Sequence, residues 1–88
     1  MSQDFPKSIK ITVCYDPVLE AITGKGREEM IVSEGISFQF LLHCIFTSYP
    51  KIIERYPPGK LGMILNERPP ELFDILKDGD ELVFKIYK

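Results

Sequence analysis

The sequence predicts a small α+β fold in which a mixed sheet of four to five strands carries one main helix across one face. Apolar and polar residues alternate over residues 7–15 and again over 81–88, which is the period of a half-buried strand. Between these segments, residues 38–46 place apolar side chains at helical spacing. A chain of 88 residues has room for one core, so we expect a single domain over residues 1–88 that folds alone.

The first strand is predicted over residues 7–15 from its alternating pattern. Its inward side chains are Ile9, Ile11, Val13 and Tyr15. Pro17 ends the strand because proline has no N–H to donate to a neighbouring strand. Residues 18–22 then allow one helical turn.

A turn at residues 23–26 contains two glycines and lets the chain double back, which predicts a hairpin. The second strand is expected over residues 27–33, with Met30 and Val32 facing inward and the alternate residues on the other face. Its alternation is weaker than that of the first strand.

The main helix is predicted to begin after Ser37, whose hydroxyl can accept an early helix N–H, and to run to about residue 48. Its apolar stripe consists of Phe38, Leu41, Leu42, Ile45 and Phe46. Burying five such side chains contributes on the order of 10 kcal/mol before chain entropy cancels most of it. Pro50 interrupts the helix, and residues 51–56 are expected to form a second short turn.

The last third of the chain predicts two more strands. Residues 60–66 alternate as a third strand, followed by a turn at Asn66. A short turn, with room for a small edge strand, is expected over residues 71–76, and a tight turn at Gly79 precedes the last strand over residues 81–88. The first and last strands have the clearest alternation, so we expect them to lie centrally and parallel to each other.

Composition and charge exclude several classes of function. The net charge of -2 comes from scattered residues without a basic stripe, so we expect no nucleic-acid partner. No apolar run is long enough to span a membrane, and residues 1–10 lack the features of a secretion signal, which predicts a cytoplasmic protein. The chain has one His and no CxxC pattern, so we expect no metal site and no cofactor, with Cys14 and Cys44 as buried, reduced thiols. No nucleophile, base and oxyanion set is visible, which favours a protein that is not an enzyme.

Four segments carry a family resemblance by their order and spacing. Residues 15–24 run from an aromatic strand end into a short turn closed by Gly24, and residues 33–37 read Ser-Glu-Gly-Ile-Ser. Residues 64–66 read Ile-Leu-Asn, and residues 76–82 read Leu-Lys-Asp-Gly-Asp-Glu-Leu. Together they resemble the MoaD/ThiS family, the molybdopterin synthase small subunits and related sulfur carriers. The resemblance implies a ubiquitin-like β-grasp fold.

The resemblance also implies a mechanism, from which this sequence departs. In the family, an E1-like enzyme adenylates a C-terminal glycine, which becomes a thiocarboxylate and donates sulfur for molybdopterin or thiazole synthesis. The family tail reads Pro-Pro-Val-x-Gly-Gly, whereas residues 83–88 here read Val-Phe-Lys-Ile-Tyr-Lys. Aligned through Glu81, this tail is about 10 Å shorter in reach and carries bulky side chains where a narrow tunnel admits only glycine. We therefore expect no sulfur transfer from it.

The candidate site is the sheet face opposite the helix, together with the end of the chain. Asp16 and Lys85 stand where the family has apolar residues that resemble partner contacts, which suggests a changed partner surface. The predicted protein-binding residues are Cys14, Asp16, Ile64, Val83, Lys85, Tyr87 and Lys88. The expected partner is an E1-like adenylating enzyme or a protein like the molybdopterin synthase large subunit.

Two alternatives to this interpretation stay open. Isolated exposed apolar residues are normal on protein surfaces, so the face could carry no interface at all. The chain could also be a working sulfur carrier of molybdenum-cofactor or thiamine biosynthesis that uses an atypical C-terminus.

Overall fold

The computed structural model describes residues 7–57 and 59–87 and confirms an α+β architecture. The strands are β1 (Ser8–Cys14), β2 (Arg27–Ser33), β3 (Leu61–Leu65) and β4 (Glu81–Ile86). The helices are α1 (Glu20–Thr23), α2 (Phe38–Ser48) and α3 (Lys51–Arg55), and a 3₁₀ turn (Pro17–Leu19) precedes α1. The predicted elements are therefore present, with bounds that differ by one or two residues.

The four strands form one mixed sheet in the order β2-β1-β4-β3. The central strands β1 and β4 are parallel, with Val13 opposite Leu82, and this confirms the predicted pairing of the first and last strands. The outer strands β2 and β3 each pair antiparallel with their central neighbour. The first and last strands of the chain therefore form the centre of the sheet.

The main helix α2 packs its apolar stripe on one face of the sheet, as predicted. The Ser37 hydroxyl accepts a hydrogen bond from the Phe40 N–H at 3.3 Å and so begins the helix. The buried core residues are Ile9, Ile11, Val13, Tyr15, Leu19, Phe38, Leu41, Leu42, Ile45, Ile52, Leu61, Leu65, Leu76, Leu82 and Phe84. Phe46, the last residue of the predicted stripe, is partly buried against this core.

Two turns, one at each end of the connection between β3 and β4, orient the last strand. Asn66 and Glu67 both have positive φ, 51° and 68°, and Gly79 has a φ of 89°, as predicted for the tight turn. The Asn66 side chain donates to the Asp80 carboxylate at 2.8 Å and accepts from the Glu81 N–H at 3.0 Å. These bonds join the end of β3 to the start of β4.

The structure resolves one open expectation and corrects another. Of the predicted four to five strands, the described residues form four, because residues 71–76 contribute only an isolated bridge between Ile75 and Ser37. Proline has no N–H for a ladder, and Pro69 and Pro70 precede this segment. The cysteines are free but half-buried, so the prediction of buried thiols was wrong. Cys14 is half-buried because it points away from α2.

Candidate functional site

The face of the sheet opposite α2, hereafter the open face, carries the side chains that the strand alternation directs away from the core. In β1, β2 and β4 the buried or inward residues alternate with half-buried or exposed ones, and the residues of β3 on the same face follow from its register with β4. The open face consists of Lys10, Thr12, Cys14, Arg27, Glu29, Ile31, Gly62, Ile64, Glu81, Val83, Lys85 and Tyr87. The placement predicted for the candidate residues on these strands is thus observed.

An apolar row crosses the centre of the open face. Cys14 of β1 lies opposite Val83 of β4, and Val83 lies opposite Ile64 of β3. All three side chains are half-buried by their neighbours in the sheet. Side chains directly opposite each other on one face are in contact distance, so this row is a continuous apolar strip three strands wide.

Tyr87 extends the apolar strip past the end of β4. Its N–H donates to the Lys60 carbonyl at 2.8 Å, which holds the backbone beside the start of β3. Its ring lies over Gly62, where a Cβ atom would meet the Tyr87 Cζ at 2.5 Å. Glycine in the interior of a strand often marks such a close approach, and this pairing was not predicted from the sequence. Tyr87 stays 56% exposed and gives the open face an accessible aromatic side chain.

Charged side chains surround the apolar strip. Lys10 and Glu29 form an exposed ion pair at 3.2 Å on the β1–β2 side. Arg27 lies opposite Cys14, and Lys85 lies opposite Gly62 beside the Tyr87 ring. An apolar centre with a charged, solvent-accessible rim is the common anatomy of a protein–protein interface.

Asp16, a predicted partner contact, lies just beyond β1 and makes hydrogen bonds within the fold. Its carboxylate accepts hydrogen bonds from the Val18 N–H at 3.0 Å and the Ile86 N–H at 3.2 Å. It therefore begins the 3₁₀ turn and ties that turn to the end of β4. Lys88, the remaining predicted site residue, lies outside the described residues.

A polar cluster on the helix side was not predicted from the sequence. The hydroxyls of Tyr15 and Tyr49 both donate to the Glu28 carboxylate, the second at 3.0 Å. Burial, followed by the hydrogen bond to Glu28 and its charge, raises the pKa of both tyrosines above the usual value. The available signal was Glu28 itself, an acid at an inward position of β2. The cluster joins β1, β2 and the end of α2.

Two other kinds of feature, a metal site and a membrane-spanning helix, were also sought among the described residues. Across residues 7–57 and 59–87, no three metal-binding side chains lie close enough together to hold an ion. Within the same part of the chain, no helix has the length and apolar character to span a bilayer.

The class of protein that this fold defines is the ubiquitin-like β-grasp domain: a mixed four-stranded sheet with a central parallel pair and one main helix across it. No protein-family model and no curated protein matches the sequence. The solved structures that share the fold include a protein described as molybdopterin converting factor, subunit 1, and small archaeal modifier proteins.

Three of these structures illustrate the likeness. A protein from Pyrococcus furiosus described as molybdopterin converting factor, subunit 1, aligns with a TM-score of 0.79 and 23% identity, covering 91% of this chain and 99% of its own. Small archaeal modifier protein 1 from Haloferax volcanii aligns with a TM-score of 0.76 and 14% identity, covering 90% of this chain and 96% of its own. Small archaeal modifier protein 1 from Methanosarcina acetivorans aligns with a TM-score of 0.69 and 16% identity, covering 89% of this chain and 92% of its own.

At these identities the likeness shows a shared fold. The β-grasp fold expected from the four sequence segments is confirmed, and the structures that share it include a MoaD-like protein.

Proposed function

We propose that this chain is a non-catalytic, MoaD/ThiS-like protein that acts by binding another protein through the open face and the last strand. The apolar strip from Cys14 through Val83 to Ile64, extended by Tyr87, is the observation that carries the proposal. The strip is presented on the two central strands and one edge strand, so binding needs little reorganisation. A preorganised surface loses less conformational entropy on association.

The expected energetics of binding follow from this surface. Tyr87 is the aromatic group with the most accessible area on the open face, and aromatic anchors at an apolar centre contribute most of the affinity in many interfaces. The rim contains both signs of charge, with Arg27 and Lys85 as its cations beside the strip. We expect these cations to favour an acidic partner rim and to affect the association rate more than the affinity.

The partner we propose is an E1-like adenylating enzyme or a protein like the molybdopterin synthase large subunit. One protein with this fold is described as a molybdopterin converting factor subunit, and others are described as modifier proteins. The cytoplasmic location stays a prediction from the sequence.

The proposal is tested by binding measurements with the two candidate partners from the same genome, each purified and titrated with this protein. Val83→Asp and Tyr87→Asp each place an unpaired charge in the apolar strip, and we expect each to abolish measurable binding, a loss of at least about tenfold. Both side chains lie away from the core, so the variants should keep the far-ultraviolet spectrum and cooperative unfolding of the unmodified protein.

A matched control uses an exposed apolar residue that lies off the open face. Phe73→Asp introduces the same charge on the 71–74 turn, where the side chain is 80% exposed, and should bind both partners as the unmodified protein does. Equal binding by the Val83→Asp and Tyr87→Asp variants would show that the open face is not the docking surface.

The second candidate function is a sulfur carrier with an atypical C-terminus, which the fold shared with a converting factor subunit favours. Incubation with ATP, the adenylating enzyme and a sulfur donor, followed by intact mass measurement, separates the two functions. Replacement of a terminal oxygen by sulfur supports the carrier. An unaltered mass, under conditions that convert a control protein ending in Gly-Gly, supports the binding module.

A further inference from the structure

We propose that this protein associates head to tail with a second copy of itself, through a protruding apolar turn on one copy and an apolar groove on the other. Both surfaces lie outside the open face. The turn contains Leu72 and Phe73, and the groove lies beside α3 and the edge strand β3. The inference is therefore independent of the proposed function.

The turn at residues 71–74 holds a large aromatic side chain in solvent. Phe73 is 80% exposed and Leu72 is 50% exposed. The Asp74 N–H donates to the Glu71 carbonyl at 3.0 Å, and the Asp74 carboxylate accepts from the Glu71 N–H at 2.8 Å. These bonds close the turn from both ends, so the exposed side chains are presented on a defined backbone.

The start of α2 fixes the orientation of this turn. The Phe38 N–H donates to the Asp74 carbonyl at 2.7 Å, and the Gln39 N–H donates to the Leu72 carbonyl at 2.9 Å. Free helix N–H groups are thereby satisfied by the turn, which ties it to the core. An exposed aromatic group on a rigid turn has the properties of an interface anchor, because little entropy is lost when it binds.

The groove offers a site of suitable size and character. It has a volume of about 280 Å³ and is lined by Phe46, Ile53, Tyr56, Gly59, Leu61 and Met63. An apolar cavity of about 150 Å³ is large enough to hold a benzene molecule. The groove therefore has room for the Phe73 ring and part of Leu72.

The groove cannot be filled by the turn of its own copy. The turn contacts the first residues of α2, whereas the groove includes Phe46, eight residues further along the helix, or about 12 Å at 1.5 Å per residue. Two backbone hydrogen bonds to the start of α2 hold the turn in place at that distance. Only the turn of another molecule can reach the groove.

The charges near the two surfaces are complementary. Residues 71–76 contain two acids, Glu71 and Asp74, and no base. Among the residues next in sequence to those that line the groove, Arg55 and Lys60 are basic and Glu54 is acidic. An exposed apolar turn with two acids and an apolar groove with an excess of basic neighbours are both present on one chain, and this favours a second copy as the occupant.

A contact of this kind does not stop at a dimer. Because the turn and the groove are different surfaces, each pair of bound copies leaves one turn and one groove free, and association continues into an open chain or a closed ring. One turn in one groove buries less than the about 1,600 Å² of a standard interface, so we expect weak association, with a dissociation constant on the order of 0.1 to 1 mM.

Sedimentation equilibrium of the purified protein from micromolar to millimolar concentration tests the proposal. The average mass should rise with concentration past that of a dimer and should fall again when salt screens the charges. Phe73→Asp removes the anchor and Ile53→Asp places a charge in the groove, and each variant alone should remain a monomer. Both side chains are exposed or partly exposed, so both variants should fold, which a thermal melt verifies.

Mixing the two variants provides the decisive measurement. The Phe73→Asp protein retains an intact groove and the Ile53→Asp protein retains an intact turn, so the mixture should form a one-to-one dimer and no larger species. Ile31→Asp, on the open face, is the matched control and should assemble like the unmodified protein.

Three outcomes would overturn the proposal. The unmodified protein could remain a monomer at millimolar concentration, in which case the groove has another occupant or none. The mixed variants could fail to dimerise, which would exclude the turn-in-groove contact. Ile31→Asp could abolish association, which would place the contact between copies on the open face. Binding of the partner enzymes is measured separately, so a failure here leaves the proposed function untouched.

Discussion

The two faces of the sheet are built from the same strands but differ in what they contribute. On the helix-covered face, Val13, Leu82 and Phe84 are completely buried. Their neighbours in sequence, Cys14 and Val83, point to the open face and stay half-buried. The alternation of the strands therefore separates a face that stabilises the fold from a face that is available for binding.

The largest expected difference between the faces is in stability. Phe84→Ala removes a fully buried ring that stacks on Tyr15 at a centroid distance of 5.8 Å, and we expect a loss of about 3–5 kcal/mol in the free energy of unfolding. Val83→Ala, one residue earlier on the open face, should cost about 1 kcal/mol or less because its site is already partly hydrated. Urea denaturation of both variants measures the difference, and equal losses would contradict the separation of the faces.

A smaller effect is expected at the polar cluster that borders the covered face. Tyr15→Phe removes a hydrogen bond to the Glu28 carboxylate, and we expect it to cost about 1.5 kcal/mol at neutral pH, the lower range for bonds to charged groups. Tyr49→Phe is the matched control, because it removes the longer of the two hydrogen bonds to the Glu28 carboxylate. Urea denaturation of both variants compares their losses in the free energy of unfolding.

The same cluster predicts the direction of the pH dependence. The pKa of Tyr15 is raised in the folded protein, whereas tyrosines of the unfolded chain ionise near 10.0. The stabilisation is complete below that pH and is lost above it, because only the unfolded chain then releases the proton. Above pH 10, we expect Tyr15 to lower the free energy of unfolding by about 1.4 kcal/mol per pH unit. The free energy of unfolding should fall less steeply with pH in the Tyr15→Phe variant. Alkaline unfolding curves that coincide for the two proteins would contradict this assignment.

The smallest change in stability is expected on the open face, at Gly62. In Gly62→Ala the new Cβ meets the far end of the Tyr87 side chain, which is flexible and can move into solvent. The loss of stability should stay below about 1 kcal/mol, since alanine also reduces the backbone freedom of the unfolded chain. The Tyr87 ring signals in NMR spectra should nevertheless shift, and partner binding should weaken.

A double-mutant cycle separates the ring contact from the backbone effect. In a Tyr87→Ala background, Gly62→Ala meets no ring and should be neutral or stabilising. If the two backgrounds gave the same change in stability, the Tyr87 ring would not lie over Gly62 in solution.

Much of the fold could be predicted because its signals are local. The alternation in β1 and β4 predicts which side chains face the core, and the stripe in α2 predicts the helix and the face it buries. The positive φ at Gly79 follows from the tight turn before β4. Placement of Cys14 and Val83 on the open face required only the strand period and the position of α2.

The candidate site was predictable only in part. The open-face residues were found by alternation, whereas the bond from the Ile86 N–H to Asp16 was not, because the two residues are seventy positions apart in the chain. The contact of Tyr87 with Gly62 likewise depends on the register of β3 with β4. Register is decided by pairing across the sheet, which no local pattern specifies.

The sequence by itself determined the order of the elements, the inward side of each strand and the apolar face of the helix, because each follows from the period of the chain and its turn residues. The tertiary structure alone decided three further features: the exposure of Phe73, the groove beside α3, and the convergence of Tyr15 and Tyr49 on Glu28. Each of these depends on side chains that are distant along the chain and meet only when the sheet and helices pack together.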